Sequence, residues 1–397
     1  MTAAFVSENA QNTGSRPAPA QEHEIIFPGT KFFHVPGSLQ LDSGQSLDHA
    51  ILAYETYGTL NARRDNCILI CHALSGSSHV FQGSDTASPG GWWDPMGAPG
   101  ACFDPARYFV VCVNLLGSCY GSSGPASINP STGKPYGLSF PVVTVGDSVR
   151  AQHILIHHLG VDKILAVVGG SLGGMQALTW AIAYPDHVVS TIPIATSCQS
   201  SAQNIAFHEV GRQAIKADPN FNCGDYYGKA IPETGLAIAR MIGHITYLSE
   251  TSMRQKFGRK LQDASVLRFG FSTDFAVEGY LKHKGQAFTK RFDANAYLYL
   301  TKAVDYFDLT NGGTRTLSQA FSTVKSRFLV LSYSSDWLYP PQESKLLVQA
   351  LKANHLPVSY CNIESGYGHD AFLLEAATQN EIIGNFLKAL GTGGVAE

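Results

Sequence analysis

Three residues spread widely along the chain have the side-chain types needed to cleave and remake an acyl bond: Ser171, Asp336 and His369. Ser171 sits in Ile164-Leu-Ala-Val-Val-Gly-Gly-Ser171-Leu-Gly-Gly-Met, an apolar strand that runs into Gly169-x-Ser171-x-Gly173 and then a helix. This is the pattern of a nucleophile elbow, in which a sharp strand-to-helix turn lifts the serine oxygen above a sheet at a helix N-terminus. Glycines flank the serine because the turn leaves no room for side chains. A plain Gly-rich turn with Ser171 as its cap is the bland alternative. A dinucleotide fingerprint fits worse, because it needs glycine where Ser171 stands.

A serine nucleophile needs a base and an orienting acid, which in such folds follow in the order Ser, Asp or Glu, His. Only His355 and His369 lie in the C-terminal core. His355, in Lys352-Ala-Asn-His355-Leu-Pro, reads as a helix-end residue, whereas His369 lies in the Gly-rich Ser365-Gly-Tyr-Gly-His369 loop, from which a side chain can reach back over a sheet. Asp336 directly follows the apolar run Phe328-Leu-Val-Leu and suits the acid, unless it only shapes the turn before Pro340. Asp305 and Asp308 precede that run, and Asp370 adjoins the base, so all three are poorer orienters. Two backbone N–H groups must form an oxyanion hole: that of Leu172, and that of Ala73 or Leu74 in the loop Cys71-His-Ala-Leu-Ser-Gly76. His72 precedes the serine and reads as a brace for this loop.

These residues require a scaffold, and the patterning supplies one. Extended segments near Glu24–Phe33 and Leu52–Gly58 precede apolar strands at Cys67–Cys71 and Tyr108–Asn114. Helix periodicity over Val145–Leu159 and Leu172–Tyr184 alternates with strands at Ile164–Val168 and Val188–Ala195. Strands apolar throughout, alternating with helices, specify an α/β fold with a mostly parallel sheet covered on both faces. Helical stretches such as Asn204–Ala217 and Glu233–Leu248 then interrupt the alternation, which resumes with a strand at Arg327–Tyr333, a helix at Gln342–Ala353, a strand at Val358–Ile363 and a helix at Ala371–Leu390. The expected division is a disordered leader at 1–22, a core at 23–196 and 312–397, and a helical lid insertion at 197–311.

Composition narrows the function. With 28 Lys+Arg against 31 Asp+Glu, the net charge of −3 provides no field for nucleic acid or an anionic membrane, and neither is expected as a partner. No apolar run is long enough to span a bilayer, and the leader lacks a signal peptide's apolar stretch. Eight cysteines without a Cys-x-x-Cys pair read as buried thiols of a cytoplasmic protein. His153 and His157 share a helix face but lack the glutamate of a zinc motif, so no metal is expected. No phosphate loop is present, so any nucleotide part of a substrate must be held by scattered groups.

Longer motifs carry a resemblance. Cys71-His-Ala-Leu-Ser-Gly76, Gly90-Gly-Trp-Trp-Asp94, Asn114-Leu-Leu-Gly117, Gly121-Ser-Ser-Gly-Pro125, Gly133-Lys-Pro-Tyr-Gly137, Gly169-Gly-Ser-Leu-Gly-Gly-Met-Gln176, Glu209-Val-Gly-Arg-Gln-Ala-Ile215 and Gly368-His-Asp370 resemble the homoserine O-acetyltransferase family of α/β-hydrolases. The resemblance runs from about residue 24 to the C-terminus. It implies acetyl transfer from acetyl-CoA, a co-substrate and not a resident cofactor, to the hydroxyl of L-homoserine, an early step of methionine synthesis in a cytoplasmic homodimer. It places the nucleophile, acid and base on Ser171, Asp336 and His369, favours Leu74 with Leu172 as oxyanion donors, and assigns the substrate carboxylate to Arg212 and its ammonium to Asp370. Tyr227 is implied in the same pocket. Without the resemblance, Arg212 reads as a solvated helix residue. Family members that use succinyl-CoA carry arginine two residues after the catalytic aspartate, where this chain has Leu338, which favours acetyl. The expected reaction is ping-pong through an acetyl-Ser171 ester. Serine as acceptor, succinyl as donor, and ester hydrolysis by the same triad are the alternatives, and the complete triad argues against a non-catalytic binding module.

Overall fold

A computed structural model describes residues 26–82 and 89–391. Among these, eight strands form one sheet in the spatial order Lys31–His34, Ile51–Tyr57, Phe109–Val113, Cys67–Cys71, Ile164–Gly170, Ser190–Ile194, Arg327–Tyr333, Val358–Ile363. The first two strands join their neighbours antiparallel, and every pairing from Phe109–Val113 onward is parallel. The central strands Cys67–Cys71 and Ser190–Ile194 are buried at every position. Their uninterrupted apolar runs follow from helices covering both faces. The edge strand Lys31–His34 mixes buried with exposed positions. It is shorter than the extended stretch read from the sequence, part of which, with the 1–22 leader, lies outside the described residues. Two short hairpins, Ser38–Gln40 with Ser46–Asp48 and Ile128–Asn129 with Lys134–Pro135, carry too few residues to show alternation in the sequence.

The helix Val145–His158 starts in a reciprocal cap. Asp147 accepts from the Thr144 amide at 2.8 Å, while the Thr144 hydroxyl accepts from Asp147 N at 3.1 Å. Asp147 also accepts from the Asp42 amide at 2.9 Å and pairs with Arg150, tying the helix to the first hairpin. Inside the helix, Gln152 donates to Gln176 Oε1 at 2.8 Å and accepts from Trp180 Nε1 at 2.9 Å, locking it against the helix Leu172–Ala183. The closing helix expected over Ala371–Leu390 is two helices, Ala371–Leu374 and Ala376–Gly391, because the backbone of Glu375 leaves the helical region at ψ 42°.

Between Ser190–Ile194 and Arg327–Tyr333, no described residue adds to the sheet. The chain leaves and returns through a neck in which Ser200 N donates to Phe307 O at 3.0 Å and Leu309 N to Cys198 O at 2.9 Å. Beyond the neck stand the helices Ala202–Ala217, Glu233–Tyr247, Glu250–Lys256, Ala276–Thr289 and Ala294–Asp305. Ala294–Asp305 is buried along nearly its whole length and shares one apolar cluster with Leu172, Met175 and Leu178. The excursion therefore shares its apolar core with the helix that follows Ser171.

Asp147→Ala should cost about 2–3 kcal/mol, because it strands the Thr144 and Asp42 amides in a closed environment; urea unfolding compared with Thr144→Ser, which keeps the hydroxyl, measures it.

Candidate active site

Ser171 ends the strand Ile164–Gly170 and caps the helix Leu172–Ala183 with φ 59° and ψ −124°, a conformation that L-residues avoid. Four hydrogen bonds hold it there: its amide donates to Ile194 O at 2.9 Å, and its carbonyl accepts from Thr196 Oγ1 at 2.8 Å, Gly174 N at 2.9 Å and Met175 N at 3.3 Å. A Cβ at Gly169 would stand 2.7 Å from Cys71 O, and one at Gly173 would drive into the same carbonyl. Gly169 and Gly173 are thus required by the close passage of the Cys67–Cys71 strand, whereas a Cβ at Gly170 or Gly174 would meet Phe372 or Thr196.

Asp336 follows its strand in a tight turn, and both of its carboxylate oxygens are engaged. Oδ1 accepts from the amides of Leu338 at 3.0 Å and Tyr339 at 2.9 Å, and Oδ2 lies 2.8 Å from His369 Nδ1. Both residues are 3% exposed. With Nδ1 committed to a carboxylate, Nε2 is the nitrogen left to accept a proton. The imidazole is packed among Tyr339, Phe372 and Tyr247, whose ring centroids lie 5.2, 5.3 and 6.0 Å away. The Tyr339 hydroxyl in turn meets the side chains of Ser171 and Asn204, while burial, reinforced by the Asp336 charge, pushes its phenol up and keeps it protonated. His355, by contrast, is exposed past the end of Pro341–Ala353 with φ 55°.

The loops of the acid and the base are gripped by residues 247–249 of the helical excursion. Trp337 Nε1 donates to Leu248 O at 3.0 Å, and the Ser249 hydroxyl donates to Gly366 O. Gly368, at φ 75°, lies so close beneath them that a Cβ would stand 2.7 Å from Tyr247 O.

The second candidate oxyanion strand-loop is braced by His72. Its ring is fully buried, Nε2 accepts from Leu115 N at 3.2 Å, and Nδ1 lies 2.8 Å from Ala73 O. Accepting at Nε2 fixes the neutral tautomer with the proton on Nδ1, and burial pushes the pKa down to about 4. Gln176 Nε2 donates to His72 O at 3.1 Å, which links the loop to the helix after Ser171. Leu172 is the first residue of that helix, where the backbone amide has no carbonyl one turn back to bind.

The remaining candidates are placed less simply. Arg212 is not solvated: it is 2% exposed, with Nε and Nη2 on Glu209 at 2.9 and 2.8 Å and Nη1 2.7 Å from Asp305 Oδ2. Nη1 nevertheless has no aligned hydrogen bond and keeps donor capacity. Asp305, set aside as an orienter, also holds His208 at 2.7 Å. Asp370 is half-buried; burial pushes its carboxyl up, against the pull of His369, Arg240 and Lys284. Tyr227 is not brought to the triad by any described contact: its hydroxyl donates to Asp293 at 3.1 Å and accepts from Asn295 at 3.2 Å. Leu338 packs at the edge of the main apolar cluster. Among the described residues no group of three His, Cys, Asp or Glu could hold a metal. Sequence reasoning missed Tyr339, Tyr247, Asn204 and Trp337, since only Asp336 and its turn give their stretches a local signal.

The α/beta hydrolase fold family model matches residues 66–376. A curated homoserine O-acetyltransferase of Methanohalobium evestigatum is 54% identical over 90% of this chain and 73% of its own length. The crystal structure of homoserine O-acetyltransferase from Bacillus anthracis superposes with a TM-score of 0.84 at 30% identity, over 90% of this chain and 97% of that one. Esterase E22 superposes at 0.82 with 31% identity, over 90% and 99%.

Two measurements test the site. Asp336→Asn should slow labelling of Ser171 by a serine-directed phosphonate by roughly 10³-fold or more, because the imidazole loses its tautomer; intact mass against time reads it. His72 has its folded pKa near 4, below the 6.5 of the unfolded chain, so the unfolded state takes the proton first. Its stabilisation is whole above pH 6.5 and declines as pH falls toward 4, by on the order of 3 kcal/mol. His153 and His244, pushed down to about 4 and about 3, chiefly by burial, titrate in the same sense. Unfolding of His72→Gln over this range should therefore show a shallower fall than the parent, not a flat one.

Proposed function

The chain belongs to the homoserine O-acetyltransferase family of the α/β-hydrolase fold, and from that membership we propose that it transfers an acetyl group from acetyl-CoA to L-homoserine through an ester on Ser171. The observation that carries this reading is the buried Asp336–His369 pair, fixed at 2.8 Å beneath residues 247–249, with Tyr339 meeting both the His369 ring and the strained serine. His369 Nε2 takes the Ser171 proton as the serine oxygen attacks the thioester carbonyl, while Asp336 stabilises the imidazolium. The C–S bond breaks, and the proton passes to the sulfur of departing coenzyme A. In the second half, His369 deprotonates the homoserine hydroxyl, which attacks the acetyl ester and returns the serine. The amides of Leu172 and Leu74 hold the oxyanion in both halves.

Transfer must outrun hydrolysis, and the 197–311 segment is the element that would exclude water. Arg212 would take the amino acid carboxylate through Nη1, with Glu209 and Asp305 keeping the guanidinium in place. Asp370 would take the ammonium. Tyr227 enters this reading only as a support, because its hydroxyl is already spent on Asp293. Leu338 would leave a succinyl carboxylate without a cation, which favours acetyl. The product would feed methionine synthesis, in a cytoplasmic homodimer without a resident cofactor. No described helix is long and apolar enough to cross a membrane. The similarity to esterase E22 makes hydrolysis the competing reading.

Coenzyme A release should require acetyl-CoA and L-homoserine together and should vanish in Ser171→Ala. Equal release without an acceptor would make the protein a hydrolase, and release with L-serine alone would change the acceptor. Leu338→Arg should raise kcat/KM for succinyl-CoA relative to acetyl-CoA by roughly tenfold, the scale of one charge-assisted hydrogen bond.

A further inference from the structure

A serine nucleophile carries developing negative charge on its own oxygen twice, once as it attacks the acyl carbon and once as it is expelled from the ester. Oxyanion amides serve the other oxygen, that of the acyl carbonyl, and His369 accounts for the proton. A further polar side chain reaches Ser171. The hydroxyl of Tyr339 meets the serine side chain on one side and that of Asn204 on the other.

Tyr339 is aimed from both ends of its own backbone. Its amide donates to Asp336 Oδ1 at 2.9 Å, so the turn that holds the acid also holds the tyrosine. Pro340 follows, which confines the residue before it to extended backbone, and the helix Pro341–Ala353 starts directly afterwards. The ring is 4% exposed, belongs to the main apolar cluster and lies 5.2 Å, centroid to centroid, from the His369 imidazole. Asn204 arrives from a different element, the first turn of the helix Ala202–Ala217, where its amide donates to Ser201 Oγ at 3.1 Å. Asparagine is a poor helix former, and a buried one needs a partner for its side chain. Here that partner is the Tyr339 hydroxyl.

The chemistry of the groups orders the protons. His369 Nδ1 is committed to Asp336, so Nε2 is the acceptor for the Ser171 proton. Ser171, giving its one proton to Nε2, accepts from Tyr339, and the phenol oxygen accepts an N–H from the Asn204 amide. Burial, reinforced by the Asp336 charge, keeps the phenol protonated.

We propose that Tyr339 is a further catalytic residue, whose hydroxyl donates a hydrogen bond to the Ser171 oxygen as charge develops there, and that Asn204 is the positioning residue that fixes the phenol. This role rests on the reading of Ser171 as the nucleophile and on neither substrate. In acylation the bond from Oγ to the acyl carbon forms as His369 Nε2 takes the serine proton. In deacylation that bond breaks and His369 returns the proton to Oγ, while Tyr339 keeps its own throughout. The hydrogen bond meets a neutral oxygen in the resting enzyme and the ester, and a charged one in between, so it is strongest where it lowers the barrier.

The test uses the full chain, Tyr339→Phe, Asn204→Ala and the double variant. Phenylalanine keeps the ring against His369 and removes only the hydroxyl. Labelling of Ser171 by a serine-directed phosphonate, followed by intact mass across pH, needs neither acyl donor nor acceptor. Tyr339→Phe should lower the plateau rate roughly 10- to 100-fold, the scale of a hydrogen bond to a charged group, and leave the midpoint of the acid limb, set by His369, where it is in the parent. Asn204→Ala should slow labelling less, and should cost nothing further once the hydroxyl is gone. A plateau equal to the parent's overturns the role of Tyr339, and so does a fall that comes with a displaced midpoint, which would place the effect in the Asp336 turn. Losses that multiply in the double variant overturn the role of Asn204. A parent that labels yet releases no coenzyme A from acetyl-CoA with L-homoserine would end the acetyltransferase reading and leave Tyr339 to be decided by labelling; a parent that does not label at all would end both.

Discussion

The carbonyl of Cys71 passes so close to the turn after Gly170 that only glycine fits at 169 and 173, and this approach governs the rest of the molecule. It fixes Ser171 in a strained backbone conformation, held by Ile194, Thr196 and Gly174. Strain of this kind costs on the order of 1–3 kcal/mol and persists only where surrounding structure over-determines it. Here the over-determination comes from the sheet order, which sets Ile164–Gly170 between Cys67–Cys71 and Ser190–Ile194. Because the same strand continues into His72 and the Ala73–Ser77 loop, the contact that strains the serine also sets the height of the candidate oxyanion amides above it.

A second constraint runs from above. Residues 247–249 touch both the turn of Asp336, through Trp337, and the loop of His369, through Gly366 and Gly368. Arg240 and Arg291 reach the remaining loop through Ser75. The helical excursion thus contacts every loop that carries a candidate catalytic group, so its packing and the geometry of the site are one mechanical unit.

The polar interior divides into groups that are spent and groups that are spare. Asp336 and Tyr227 are spent on neighbours. Arg212 is largely spent on Glu209 and Asp305 but keeps Nη1, while Arg240 and Arg291 are oriented by Ser75 without being neutralised. A buried cation is costly unless paired or supplied with a ligand, which is why the spare donors, more than the saturated ones, indicate where substrate charge would fall.

The sequence by itself determined the alternation of apolar strands and helices, the elbow around Ser171, and the chain order that singles out Asp336 and His369, because each is written in contiguous residues or in a fixed order. It also determined the family, through motifs spread along the chain. It did not reveal the two short hairpins or the break at Glu375, where too few residues bear a periodic signal. Only the tertiary structure decided that Arg212 is buried and ion-paired, that Tyr227 serves Asp293, and that Tyr339 stands between Ser171 and His369. Only it brought Arg240 and Arg291, 51 residues apart in sequence, to the same serine, Ser75. The physical reason is that side chains on separate helices meet according to how those helices pack, and packing is a property of the whole fold, carried by no local run of residues.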